Sequence, residues 1–156
     1  MRTFFKYFFW ILAITIMVTV FCFSSQKAEE SQRTSEGLTK KVLMNFESFR
    51  ILSEEQQTEI IKGIQFVVRK GAHFSVYTAL GISLFSAMLL SFKTKFLWLW
   101  SWLTAVLYAI SDEVHQFFVP GRSMELRDVL IDSSGALLGI LIVVLIRKIY
   151  VKRVSR

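Results

Sequence analysis

The chain predicts an all-α integral membrane protein: a four-helix bundle with a short amphipathic helical segment between spans one and two. Three observations carry this. Four apolar runs, near residues 4–23, 66–90, 96–118 and 126–146, each reach membrane length. Hydrophobic residues make up 53% of the 156, with 15 Phe and a mean hydropathy of +0.47, which is too apolar for an ordinary soluble domain. A single Pro and 7 Gly leave little room for linkers, so residues 1–156 read as one domain.

The first run, FFKYFFWILAITIMVTVFCF, spans about 30 Å at about 1.5 Å per residue. Arg2 and Lys6 lie at its start, as in a signal peptide. The poor cleavage context around Phe21 and Ser24-Ser25 favours a retained span. The run ends in a polar knot, Ser24-Ser25-Gln26. Residues 27–65 carry six basic residues and seven Glu. Leu38, Val42, Leu43 and Phe46 recur at helical spacing, as do Ile60, Ile61 and Ile64. Ser53-Glu54-Glu55-Gln56 reads as a capping box. Two short amphipathic helices on the membrane face are expected here.

The second span begins near Phe66 with Arg69, Lys70 and His73 in its first turns. Arg69, His73 and Tyr77 fall at i, i+4 and i+8, one helix face. The third opens with an aromatic belt, Phe96, Trp98, Trp100 and Trp102. It closes with Asp112, Glu113, His115 and Gln116. After the turn Pro120-Gly121-Arg122-Ser123, the fourth span begins with Asp128 and Asp132 already inside it. Asp132, Gly135 and Gly139 continue the stripe that Asp128 starts, a helix-packing pattern of small residues. Arg147, Lys148, Lys152, Arg153 and Arg156 follow.

Net charge is +7, but the cations sit at the chain ends and beside apolar runs. That distribution suits a lipid bilayer as partner and excludes a nucleic-acid binder, which clusters its cations on one face. With both termini cytoplasmic, Arg2, Lys6, Lys93, Lys95 and the C-terminal cations all fall inside, as the positive-inside rule requires. Gln26, Arg69, Lys70, His73, Asp112, Glu113, His115, Gln116, Arg122, Asp128 and Asp132 then share one outer layer. Ionisable groups at such depth are costly and mark a candidate functional site.

Within that layer Asp112, His115 and Gln116 share a face, while Glu113 points about 100° away. Asp128 and Asp132 are neighbours on one face, and an arginine, Arg69 or Arg122, is expected to bridge them. Glu113, His115 and Asp112 are the candidates for acid–base catalysis, although no nucleophile motif accompanies them. No metal-ligand spacing such as HExxH occurs, so neither a metal nor another cofactor is expected. The lone Cys22 excludes an intramolecular disulfide. The same Arg-Asp-His network would equally serve to pin helices together. Nothing in the sequence specifies an oligomeric state.

Three motifs, FSSQ after the first run, RKGAHFSVYTALG from Arg69, and SDEVHQFFVPGRSMELRDVLIDSSGALLG from Ser111, resemble the VanZ-like family of bacterial membrane proteins. The resemblance covers the whole chain. It implies a multi-pass protein of the bacterial cytoplasmic membrane that affects susceptibility to teicoplanin-type glycopeptides and lipoglycopeptides. It also implies polar positions at Gln26, Arg69, Lys70, His73, Asp112, Glu113, Gln116, Arg122 and Asp128. Many relatives carry Asn where this chain has Asp132. A lipid-linked cell-wall precursor or the glycopeptide itself is the partner class implied, engaged as a polar or anionic headgroup. Two alternatives stay open: an intramembrane enzyme acting on a lipid-linked cell-wall intermediate, with Glu113 and His115 as acid and base, and a structural accessory subunit.

Overall fold

The computed structural model describes residues 1–154; Arg156 of the basic tail lies outside the described residues. Among these residues the chain is all helix and turn: α1 (Arg2–Ser24), α2 (Ala28–Leu43), α3 (Glu47–Arg50), α4 (Glu54–Ser91), α5 (Leu97–Phe117) and α6 (Leu126–Val154). Three of the six, α1, α4 and α6, are long and apolar enough to cross a membrane. The hydropathy of α5 is diluted by its three Trp and by Asp112 and Glu113.

The amphipathic segment differs from its expected form. Its first half is α2, but its second half is not a separate helix. The Ser53 box is formed: Gln56 N donates to Ser53 Oγ at 3.3 Å, and Ser53 N donates to Gln56 Oε1 at 3.1 Å. From there α4 runs without a break for 38 residues, ~57 Å, about twice the hydrocarbon thickness. No Pro interrupts the stretch and Gly63 alone is too weak a breaker, so the second span starts as the continuation of a helix already formed.

α4 is the central element. It packs against α1, α2, α5 and most extensively α6, while α5 also touches α1 and α6. α4 and α6 run in the same direction, with Phe74 beside Gly135 and Thr78 beside Gly139. A methyl group at Gly135 or Gly139 would lie closer than 3.0 Å to the carbonyl oxygen of Phe74 or Thr78, so this contact requires glycine. Tyr77, Leu80, Leu84, Ala105, Ala109 and Ala136 fill the interior. Aromatic donors tie the helices across it. Trp10 Nε1 reaches Ser91 Oγ at 3.0 Å, Trp102 Nε1 reaches the Ser133 carbonyl at 3.0 Å, and Tyr108 Oη reaches the Met17 carbonyl at 2.5 Å. The exterior is apolar: Phe4, Ile11, Ile14, Val18, Leu107, Leu130, Leu141 and Leu145 are all exposed. A surface of that kind belongs in a lipid bilayer.

Candidate functional site

The C-terminal ends of α1 and α5, the middle of α4 and the start of α6 meet at one end of the molecule. Two polar groups form there.

The first lies between α1 and α5. Ser24, the last residue of α1, donates from Oγ to Asp112 Oδ2 at 2.8 Å. Gln116 Nε2, one turn after Asp112, donates to the same oxygen at 2.9 Å, so the i, i+4 pair acts from one face as its spacing required. Arg122 closes the group. Gly121 takes φ +78, a left-handed conformation that glycine adopts without steric cost, and the turn folds back toward α1. The guanidinium then donates to Gln116 Oε1 at 2.9 Å, to the Gln26 carbonyl at 2.9 Å and to the Phe23 carbonyl at 3.2 Å. The last two bonds cap the C-terminus of α1, where a cation also meets the negative end of the helix dipole. His115 faces α1 as well. Its Nε2 lies 3.0 Å from Ser25 Oγ, and its ring stacks on Phe21 with centroids 4.5 Å apart.

The second group lies between α4 and α6. Lys70 pairs with both carboxylate oxygens of Asp128 and lies 3.9 Å from Glu125. One turn on, His73 Nδ1 is 3.8 Å from Asp132 Oδ2. Asp132 is therefore partnered by a histidine and Asp128 by a lysine, and the expected arginine bridge does not form. The reason is rotational. Arg69 and Lys70 are consecutive, so they point about 100° apart on α4; Lys70 takes the α6 side and Arg69 the α1 side. Arg122 is held over α1. Glu113 accepts from Glu125 N at 2.8 Å at the entry of α6. It thus faces a different neighbour from His115.

Asp112, Glu113 and Asp132 are almost wholly buried, at 2%, 2% and 1% exposure, and so is Tyr77 at 0%. Asp112 Oδ1, Asp132 Oδ1 and Tyr77 Oη have no protein hydrogen-bond partner among the described residues. No group of three or more His, Cys, Asp or Glu among these residues is arranged to hold a metal ion.

Beside these groups a cavity of about 260 Å³ opens between α1, α2 and α4. Arg69, His73 and Tyr77 line it from α4, Gln26 and Arg122 from the loops, and Thr19, Val20 and Phe23 from α1. Its remaining wall is α2, through Ser31, Thr34, Ser35 and Leu38. Burial pushes the Arg122 guanidinium below its ordinary pKa, and the neighbouring positive charge of Arg69 adds to this. Arginine stays charged all the same, so two cations face one cavity.

Sequence reasoning placed Gln26, Arg69, His73, Asp112, Gln116 and Arg122 in one layer, and the structure brings them together. It passed over the part played by Glu125 and by α2. The spacing Ser31, Ser35, Thr39, one residue every fourth position, was the available signal for an inward stripe on α2.

An apolar exterior around a buried polar layer defines a helical membrane protein. The chain belongs to the VanZ/LLP1 family, whose sequence profile matches residues 9–147. No curated protein and no solved structure gives a match.

Proposed function

We propose that the chain is a single-domain, four-span protein of the bacterial cytoplasmic membrane with both termini cytoplasmic. Its outer cavity takes the anionic headgroup of a lipid-linked cell-wall precursor, and through this the protein affects glycopeptide susceptibility. One observation carries the reading: Arg69 and Arg122 line the same cavity, and neither has a carboxylate ion-pair partner among the described residues. Guanidinium groups match phosphate geometry in pairs of hydrogen bonds, and Thr19, Val20, Phe23 and Leu38 offer contact for the first prenyl carbons. His73 and Tyr77 supply further polar contacts, and Lys70 and Asp128 hold the α4–α6 wall behind them. Membership of the family supports the envelope setting.

Binding of a detergent-solubilised polyprenyl diphosphate to the purified protein, followed by isothermal titration calorimetry, tests the reading. Arg69 is exposed and makes no structural bond, so Arg69→Gln should fold normally and bind about tenfold more weakly. In cells matched for protein level, the same variant should lose any effect of the wild type on teicoplanin susceptibility. Equal binding by wild type and Arg69→Gln would remove the headgroup reading. The acid–base alternative makes the opposite distinction: Glu113→Gln would abolish its activity and leave headgroup binding unchanged.

A further inference from the structure

At the end of the molecule away from the polar layer lies a larger cavity, about 670 Å³, within the roughly 300–1,000 Å³ usual for small-molecule sites. Three cations line it from three separate parts of the chain. Arg2 comes from the first turn of α1, Lys93 from the turn after α4, and Arg147 from the later part of α6. The walls between them are apolar, with Phe9, Leu89 and Ile146 among the side chains. No acidic residue lines the cavity, and none of the three cations forms an ion pair among the described residues.

We propose that this cavity binds one anionic phospholipid, its phosphate between Arg2, Lys93 and Arg147 and the start of its acyl chains against the apolar walls. Charge is the first argument. Three like charges around one recess repel, and a phosphate removes that repulsion. Shape is the second. Cations at helix ends are common in membrane proteins, but these three, though exposed, rim one hollow. α1 and α6 lie against α4 without packing extensively on one another, which leaves the hollow between them. The α1 and α4 walls are tied to each other beside the hollow, because Trp10, the residue after Phe9, donates from Nε1 to Ser91 Oγ. An inorganic anion would use the cations and leave the apolar walls in contact with nothing, so a lipid is the better match.

Native mass spectrometry of the detergent-solubilised protein tests this with phosphatidylglycerol, phosphatidylcholine and inorganic phosphate as probes. The wild type should retain phosphatidylglycerol and release phosphatidylcholine. Lys93→Gln with Arg147→Gln should weaken phosphatidylglycerol binding by about thirtyfold, since each cation near an anionic lipid contributes comparably. Both side chains are exposed, and the melting curve should be unchanged. If the double variant folds poorly, the two single variants are measured instead, each with about a fivefold effect. Lys41→Gln, an exposed cation that lines neither cavity, should keep full phosphatidylglycerol binding, which separates this site from a general effect of positive charge. Three results would overturn the proposal: no preference for phosphatidylglycerol in the wild type, an unchanged preference in the variants, or displacement of the lipid by millimolar inorganic phosphate.

Discussion

Asp128 and Asp132 are one turn apart and chemically identical, yet their surroundings give them different importance. Asp128 holds the ammonium of Lys70, whose side chain is only 12% exposed. Asp128→Asn leaves that charge without its main acceptor and should cost about 2–3 kcal/mol, read as a lower melting temperature in detergent. Lys70→Met together with Asp128→Leu should recover most of the loss, because no charge is then left buried. Asp132 has one distant histidine contact and one oxygen without a partner. Burying an amide costs less than burying a charge, so Asp132→Asn should be neutral or slightly stabilising. Equal damage from both single substitutions would mean that both charges serve a common ligand. The sequence made the two acids neighbours but could not name their partners. Which of two adjacent cations meets α6 depends on a 100° rotation that only the packed helix fixes.

Helix α4 shows the same limit at a larger scale. Its capping box at Ser53 and its apolar span were both legible, but the joint between them was not, because the stretch near Gln65 carries no signal for stopping or for continuing. The spacing of Gly135 and Gly139 pointed to a close helix contact on α6 without naming its partner, which is α4. Gly139→Ala should force the two backbones apart and cost about 1–3 kcal/mol, while Gly71→Ala should be neutral or stabilising by up to about 1 kcal/mol. The contrast follows from space: an added methyl at Gly71 meets nothing within 4 Å. Melting curves of the two variants, purified side by side, check it. The part of α2 as a cavity wall stayed hidden because α2 is polar overall, and a few small residues facing a neighbour leave little periodic signal.

For the whole molecule, the proposed topology puts the α4–α5 turn and the α5–α6 turn on opposite sides of the membrane. In a Cys22→Ser background, Lys95→Cys should resist an impermeant thiol reagent applied to intact cells, and Ser123→Cys should react. Both positions are exposed, so burial does not confuse the outcome. Labelling of Lys95→Cys from outside would reverse the topology and with it the outer placing of the Arg69 cavity. The one-sided polar layer was the feature most plainly written in the sequence, since it needs only the order of charges along four apolar runs. The division of that layer into an α1–α5 group and an α4–α6 group was not. It arises from how the helices rotate as they pack.

The Arg122 clamp also sets an order of events. It joins the turn before α6 to the end of α1, across 96 residues to Gln26 and 99 to Phe23, and Ser24 meets Asp112 across 88. During synthesis the end of α1 is made long before any of these partners exists. Contacts so distant in sequence form late, after the intervening loop has been closed. Until the chain has grown past residue 122, the Gln26 carbonyl and the Ser24 hydroxyl lack the partners they have in the folded protein, while the Phe23 carbonyl accepts only from the nearby Gln26 N. Whatever shields those groups in the interval, lipid headgroup, water or insertion machinery, has to yield to a guanidinium, so the polar layer is among the last parts of the protein to assemble.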